Sequence, residues 1–176
     1  MKTLVIIPSR LSATRLPGKP LLKINGLSII SHVMKKAVRA NIGEVFVATE
    51  DQEIVDDVKK NGGQAILTNN YHKTGTDRIF EAINKLEKTD IELVVNLQGD
   101  EPLMNIDDLK TLHDKMTQSK AQFGTLASNV SDKNALEKQS LVKVITKESL
   151  TESNFPEAKD FKREFINDTK NVYHHL

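Results

Sequence analysis

Strand-like and helix-like segments alternate through the first two-thirds of this 176-residue chain, and that alternation limits its fold more than any other feature. Residues 4–8 are a short apolar run rich in β-branched side chains, the pattern of a strand buried on both faces. Residues 44–49 (EVFVAT), 64–68 and 92–97 (ELVVNL) read as a second, third and fourth strand. Between them lie helical periods. Ser28 caps one whose inner face carries Ile29, Ile30, Val33, Met34, Ala37 and Val38. A second covers 51–61, with Ile54, Val55 and Val58 inward and Gly62–Gly63 as its stop. Thr76 or Asp77 opens a third, with Ile79, Phe80, Ile83 and Leu86 on one face, and 107–118 is a fourth. Residues 123–130 and 141–146 are further strands. The expected fold class is α/β: a mostly parallel sheet with helices on both faces. Residues 147–176 have few apolar side chains and no clear period, although 172–176 read as the start of a strand. No repeat or interdomain linker interrupts the chain, so one domain over 1–176 is expected.

Composition narrows the function. Apolar residues make up 38% and net charge is +1, which suits a globular chain with one core. Cysteine is absent, which excludes disulfides and thiolate metal sites. Lys and Arg total 25 against 24 Asp and Glu, with no long basic block and few aromatics, so a nucleic-acid partner is not expected. No apolar run approaches membrane-spanning length, and residues 4–8 are too few for a signal-peptide core. No membrane insertion is expected, and a cytoplasmic location is.

Ligands of an open parallel sheet bind beyond the carboxyl ends of its strands. Three segments fall there. Pro8, Ser9, Arg10 and the stretch through Arg15 to Lys19 and Pro20 offer cations and backbone amides after a buried strand, a good anion cradle. It is neither a Walker loop, since Pro20 follows Gly18–Lys19, nor a dinucleotide G-x-G-x-x-G. Three of the five Arg (10, 15 and 78) lie in these loops, and planar two-pronged binding of phosphate or carboxylate needs Arg. His72 to Arg78 includes Gly75, which lets backbone approach a planar ligand closely. Gln98-Gly99-Asp100-Glu101-Pro102 places carboxylates at a strand end, where Mg²⁺ could complete its shell with phosphate and water. Each segment also has a plain reading as a solvated loop, a helix cap or a turn. Together they suggest Mg²⁺-assisted chemistry on a nucleoside triphosphate, with base and acceptor open.

At these residues the chain resembles the 3-deoxy-D-manno-octulosonate (Kdo) cytidylyltransferases, or CMP-Kdo synthetases. The matching stretches are IIPSRLSATRLPGKPL, IISHV, VFVATEDQEI, HKTGTDR, VVNLQGDEP and VKVI, in order across most of residues 1–148. The resemblance implies a Rossmann-like nucleotidyltransferase sheet and transfer of CMP from CTP to the anomeric hydroxyl of Kdo, with release of pyrophosphate, for lipopolysaccharide biosynthesis. It implies that Arg10 and Lys19 hold the triphosphate and Asp100 binds Mg²⁺. Pro8, Ser9, Thr74, Gly75 and Arg78 join them in the CTP site, Thr74 and Gly75 in the segment that reads cytosine. Arg15, Gln98, Arg163 and His175 fall to the sugar-acid site. Lys162 stands where the family has Ser before that Arg, and the segment between Arg163 and His175 is shorter than usual. The family continues past Leu176 with a dimer-forming segment, further sugar contacts and a second Mg²⁺ carboxylate. A C-terminally truncated chain is therefore expected, homodimeric in its full-length form. The alternatives are a cytidylyltransferase for another sugar acid such as sialic acid, or an inactive CTP-binding fragment.

Overall fold

The computed structural model describes residues 1–12, 16–130, 138–151, 154–164 and 169–176. Two compact units divide within one helix: residues 1–113 and 114–176.

The first unit is built on β1 (Thr3–Ser9), β4 (Glu44–Thr49), β5 (Ala65–Leu67) and β6 (Leu93–Asn96), all parallel. The strand order is β5-β4-β1-β6, so successive strands step one way from β1 and then return to its other side. That reversal between β1 and β6 is the switch point at which open α/β sheets bind ligands. Between β1 and β4 lie a 3₁₀ turn at Lys19–Leu21, a small hairpin of β2 (Lys23–Ile24) and β3 (Leu27–Ser28), and α1 (Ile29–Ala40). Helices α2 (Gln52–Lys60) and α3 (Gly75–Lys85) complete the crossovers, and α4 (Ile106–Gln118) follows β6.

The two-residue alternation of a strand builds a core on each face. Val5, Ile7, Val45 and Val47 pack with Ile30, Val33 and Met34 of α1, Ile54 and Val58 of α2, and Leu109 of α4. Leu4, Ile6, Phe46 and Ala48 pack with Ile79 and Ala82 of α3. Helices on both faces are therefore present. Each such Val, Leu or Ile contributes about 1.5–3 kcal/mol by burial. Ser28 caps α1 as expected, its side chain accepting from the Ser31 amide, and Gly62 ends α2 in the left-handed region at φ 83°.

Four details differ from the sequence reading. Val38 and Phe80 are exposed, not core; Phe80 remains 68% accessible. Adjacent helical positions are 100° apart, so Ala37 and Ile79 take the inward place beside them. Helix α3 begins at Gly75, and its cap is Thr74 rather than Thr76 or Asp77. The strand expected over 123–130 shrinks to β7 (Ala127–Ser128), with Phe123 in solvent. The second unit also gains a strand the sequence did not suggest, β9 (Ala158–Lys162).

In that unit β7, β8 (Lys143–Thr146), β9 and β10 (Val172–His175) form an antiparallel sheet in the order β7-β10-β8-β9. Val144, Val172 and Tyr173 are its buried apolar residues, and the Tyr173 hydroxyl accepts the Leu150 amide at 2.8 Å. Every residue of edge strand β9 is exposed, and Lys159, Asp160 and Lys162 protect it from pairing with other chains. Among the described residues no helix is long and apolar enough to cross a membrane.

Candidate functional site

A cavity of about 340 Å³ opens at the switch point of the first unit. The carboxyl end of β1 (Pro8, Ser9, Arg10), the 3₁₀ turn (Lys19, Pro20), the segment before α3 (His72 to Gly75, with Arg78) and the turn after β6 (Gln98, Gly99, Asp100) line it. The three segments singled out from the sequence thus line one cavity, and the first-unit candidates among the described residues all reach it.

The loop after β1 is tied down at both ends. The Leu11 amide donates to Asp51 Oδ2 at 2.7 Å, and the Leu11 carbonyl accepts the Gly18 amide at 3.0 Å. Gly18 sits at φ 72°, which glycine adopts without strain, and opens the 3₁₀ turn that presents Lys19. Lys19 Nζ lies 2.8 Å from Asp100 Oδ2, so the cradle and the acidic turn meet directly. Both side chains keep access to solvent, and such exposed pairs are worth about 0–1 kcal/mol. An incoming phosphate or cation can therefore displace either partner at small cost. Arg10 is exposed at the rim. Ser9 is buried, and its hydroxyl has no hydrogen-bond partner among the described residues. A buried orphan hydroxyl costs about 1–3 kcal/mol, which a ligand oxygen would recover.

Gly99 explains how the acidic turn comes so close. A Cβ there would stand 2.9 Å from the Pro8 carbonyl oxygen and 3.3 Å from Ile30 Cδ1. Gly99→Ala is expected to cost about 1–3 kcal/mol, because the obstacle is backbone that cannot swing aside, and to shift Asp100 from Lys19. Urea unfolding beside wild type checks the first part, and a crystal structure of the variant the second.

Across the cavity, Thr74 caps α3: its Oγ1 accepts the Asp77 amide at 3.1 Å and donates to Asp77 Oδ2 at 2.7 Å. Gly75 abuts Pro8, where an added Cβ would lie 3.3 Å from Pro8 Cγ. Arg78 is only 3% exposed. Its Nη1 donates to Thr68 Oγ1 at 2.6 Å and its Nη2 pairs with Glu50. It touches the cavity while its charge is already matched.

Two residues that the sequence reading passed over, Glu50 and Glu81, support this wall. Glu81 on α3 pairs with His72 and with Lys85 at 2.7 Å, and accepts the Asn69 amide at 3.1 Å. Burial opposes its charge, but hydrogen bonds from Lys85, His72 and the Asn69 amide outweigh that and lower its carboxyl pKa to about 2. The folded value lies below the ordinary 4.5, so this contribution to stability is present above that value and is lost as pH falls toward 2. The Asn69 amide resonance should report this titration, with its midpoint near 2 rather than 4.5.

Arg15 lies outside the described residues. Arg163 and His175 belong to the second unit. There, Arg163 Nη1 reaches the Gln139 and Ser140 carbonyls at 3.4 Å, and Lys143, fully buried, donates to the Arg163 carbonyl at 2.9 Å. His175 shares a 2.9 Å hydrogen bond with Thr125 and meets Phe161 edge-on. Burial, and then the neighbouring His174, lower its pKa.

The metal-binding capacity of the cavity follows from its donors. Among the described residues no group of three or more His, Cys, Asp or Glu gathers. Asp100 alone, half-exposed beside open space, suits a hard cation that takes most of its ligands from phosphate and water.

Comparison with known proteins agrees with this architecture. The family model described as cytidylyltransferase matches residues 4–175. The 3-deoxy-manno-octulosonate cytidylyltransferase of Rhodopseudomonas palustris (strain BisB18) is 44% identical over 145 residues, 82% of this chain and 59% of that protein. The protein of the same name from Photorhabdus laumondii is 44% identical over 141 residues, 80% of this chain and 57% of its own. The chain thus spans less than three-fifths of the length of these relatives. The solved structure of CMP:2-keto-3-deoxy-manno-octonic acid synthetase complexed with CTP superposes with a TM-score of 0.84 at 34% identity, covering 100% of this chain and 72% of that one. With the family model running from the first residues of β1 to the last strand of the second unit, the chain belongs to the cytidylyltransferase family.

Proposed function

We propose that the chain is the nucleotide-binding part of a Kdo cytidylyltransferase, transferring CMP from CTP to Kdo for lipopolysaccharide synthesis. The meeting of Lys19 and Asp100 at the mouth of a cavity at the switch point carries this reading. The names of the relatives and the CTP in the related complex supply the substrates.

The chemistry follows from the residues. The anomeric oxygen of the sugar acid attacks the α-phosphorus, the bond to the bridging oxygen breaks, pyrophosphate leaves, and the hydroxyl proton passes to solvent. Negative charge concentrates on phosphate oxygens, so fixed positive charge and positioning supply most of the acceleration. Lys19 and Arg10 hold the triphosphate, and the orphan Ser9 hydroxyl donates to a phosphate oxygen. Thr74 and Gly75 form the wall for the cytosine, with Pro8 behind them and Arg78 holding the wall's base. In the first unit, Gln98 and Arg15 serve the sugar acid. Asp100 would hold Mg²⁺, which when bound offsets phosphate charge and lowers the acceptor hydroxyl's pKa. We read both units as one nucleotidyltransferase domain, dimeric in the full-length form and working in the cytoplasm, where CTP is held.

Pyrophosphate release tests the reading. Release from CTP with Kdo, and not with sialic acid, supports it. Release with sialic acid alone would reassign the acceptor. CTP binding without turnover on either would make this chain a binding fragment, and absence of CTP binding would overturn the proposal.

A further inference from the structure

We propose that Glu81 is a positioning residue for nucleotide recognition: from α3, outside the cavity lining, it holds residues 69–74 in the shape that receives the base. The inference rests on the cytidylyltransferase reading above and names the group that sets the base end of the same site.

The segment between β5 and α3 has no regular structure of its own. Its start is fixed where the Thr68 amide donates to the Thr49 carbonyl at 2.7 Å, and its end where Thr74 caps α3. Between these anchors the cavity borrows His72, Lys73 and Thr74 as lining. Glu81 spans the gap. Its carboxylate is 13% exposed and takes the Asn69 amide at 3.1 Å, Asn69 Nδ2 at 3.0 Å and the ring of His72, itself 7% exposed.

The bond to His72 also fixes its ring. An ionised carboxylate only accepts, so His72 Nε2 must carry a proton and donate. An ordinary helix-surface glutamate would satisfy itself with Lys85 at i+4 and leave the loop alone. Glu81 instead gathers donors from three places, two of them in the loop. Holding the loop before ligand arrives spares the ordering cost that binding would otherwise carry. The triphosphate end of the site depends on other groups, Lys19 and Arg10, on the loop after β1.

This separation gives the test. Binding of CTP and of inorganic tripolyphosphate is measured by calorimetry, with Mg²⁺ present, on the whole chain and on Glu81→Gln, which keeps size but removes the charge. CTP should bind about tenfold more weakly to the variant, the size of one lost hydrogen bond to a charged group, while tripolyphosphate affinity stays within twofold. A merely structural role for Glu81 would lower the melting temperature and leave both affinities of the folded protein unchanged, or weaken both together; either result overturns the inference. Should Glu81→Gln not fold, Glu81→Asp withdraws the carboxylate by one methylene and carries the same expectation. Wild type that binds no CTP overturns the cytidylyltransferase reading and this inference with it. Wild type that binds CTP, with a variant that binds it equally well, overturns this inference alone.

Discussion

Lys19→Ala is expected to lower turnover about 10²–10³-fold, the usual loss when one fixed positive group is removed from a site of developing negative charge. The ammonium is a compact charge presented to the cavity by the Gly18 turn, 2.8 Å from the carboxylate proposed to hold the metal. Its removal should act mainly on kcat, because phosphate charge shifts most in the transition state. The fold should barely notice. The Lys19–Asp100 pair is exposed on both sides, and such pairs contribute about 0–1 kcal/mol. Pyrophosphate release and a thermal melt on the same sample separate the two effects. A large drop in melting temperature with modest loss of turnover would make Lys19 a structural residue.

Arg78→Ala is expected to have the larger effect on stability, about 3–5 kcal/mol, because it strands Glu50 in a buried setting without its partner. Arg78 is among the few charged residues in the core, and it joins the end of β4, through Glu50, to Thr68 beyond β5. Replacing both partners by apolar residues of similar size, Arg78→Met with Glu50→Leu, should recover much of the loss, since the cost lies in an unpaired charge rather than in the missing bond itself. Urea unfolding of the single and double variants measures this. A single variant within about 1 kcal/mol of wild type would contradict a buried, paired role.

The parallel sheet was legible because short apolar runs alternate with helical periods along the chain, and 44–49 matches β4 residue for residue. The helices were legible by period, but neighbours such as Ile79 and Phe80 compete for one inward direction. Which one wins depends on where the sheet lies, and one helix's sequence does not contain that. β9 was hidden because an exposed edge strand needs no apolar alternation; its charges look like loop. The candidate site was legible as three segments since their residue types suit phosphate and metal. Its supports were not. Glu81 reads as an ordinary i,i+4 partner of Lys85, and Glu50 as a turn residue after a strand. Their contacts with His72 and Arg78 arise only when the chain folds. Gly99 likewise looks like a plain turn glycine until Pro8 is beside it.

The central claim is that the loop after β1 and the turn after β6 clasp one metal-bound triphosphate. A crystal structure of the chain grown with CTP and Mg²⁺ tests it most directly. The expected map shows the triphosphate between Arg10 and Lys19, a phosphate oxygen on Ser9 Oγ, and the cation on Asp100 with Lys19 drawn off that carboxylate. A nucleotide bound elsewhere, or a cation bridging the phosphates with Asp100 still paired to Lys19 and out of its shell, would contradict the claim.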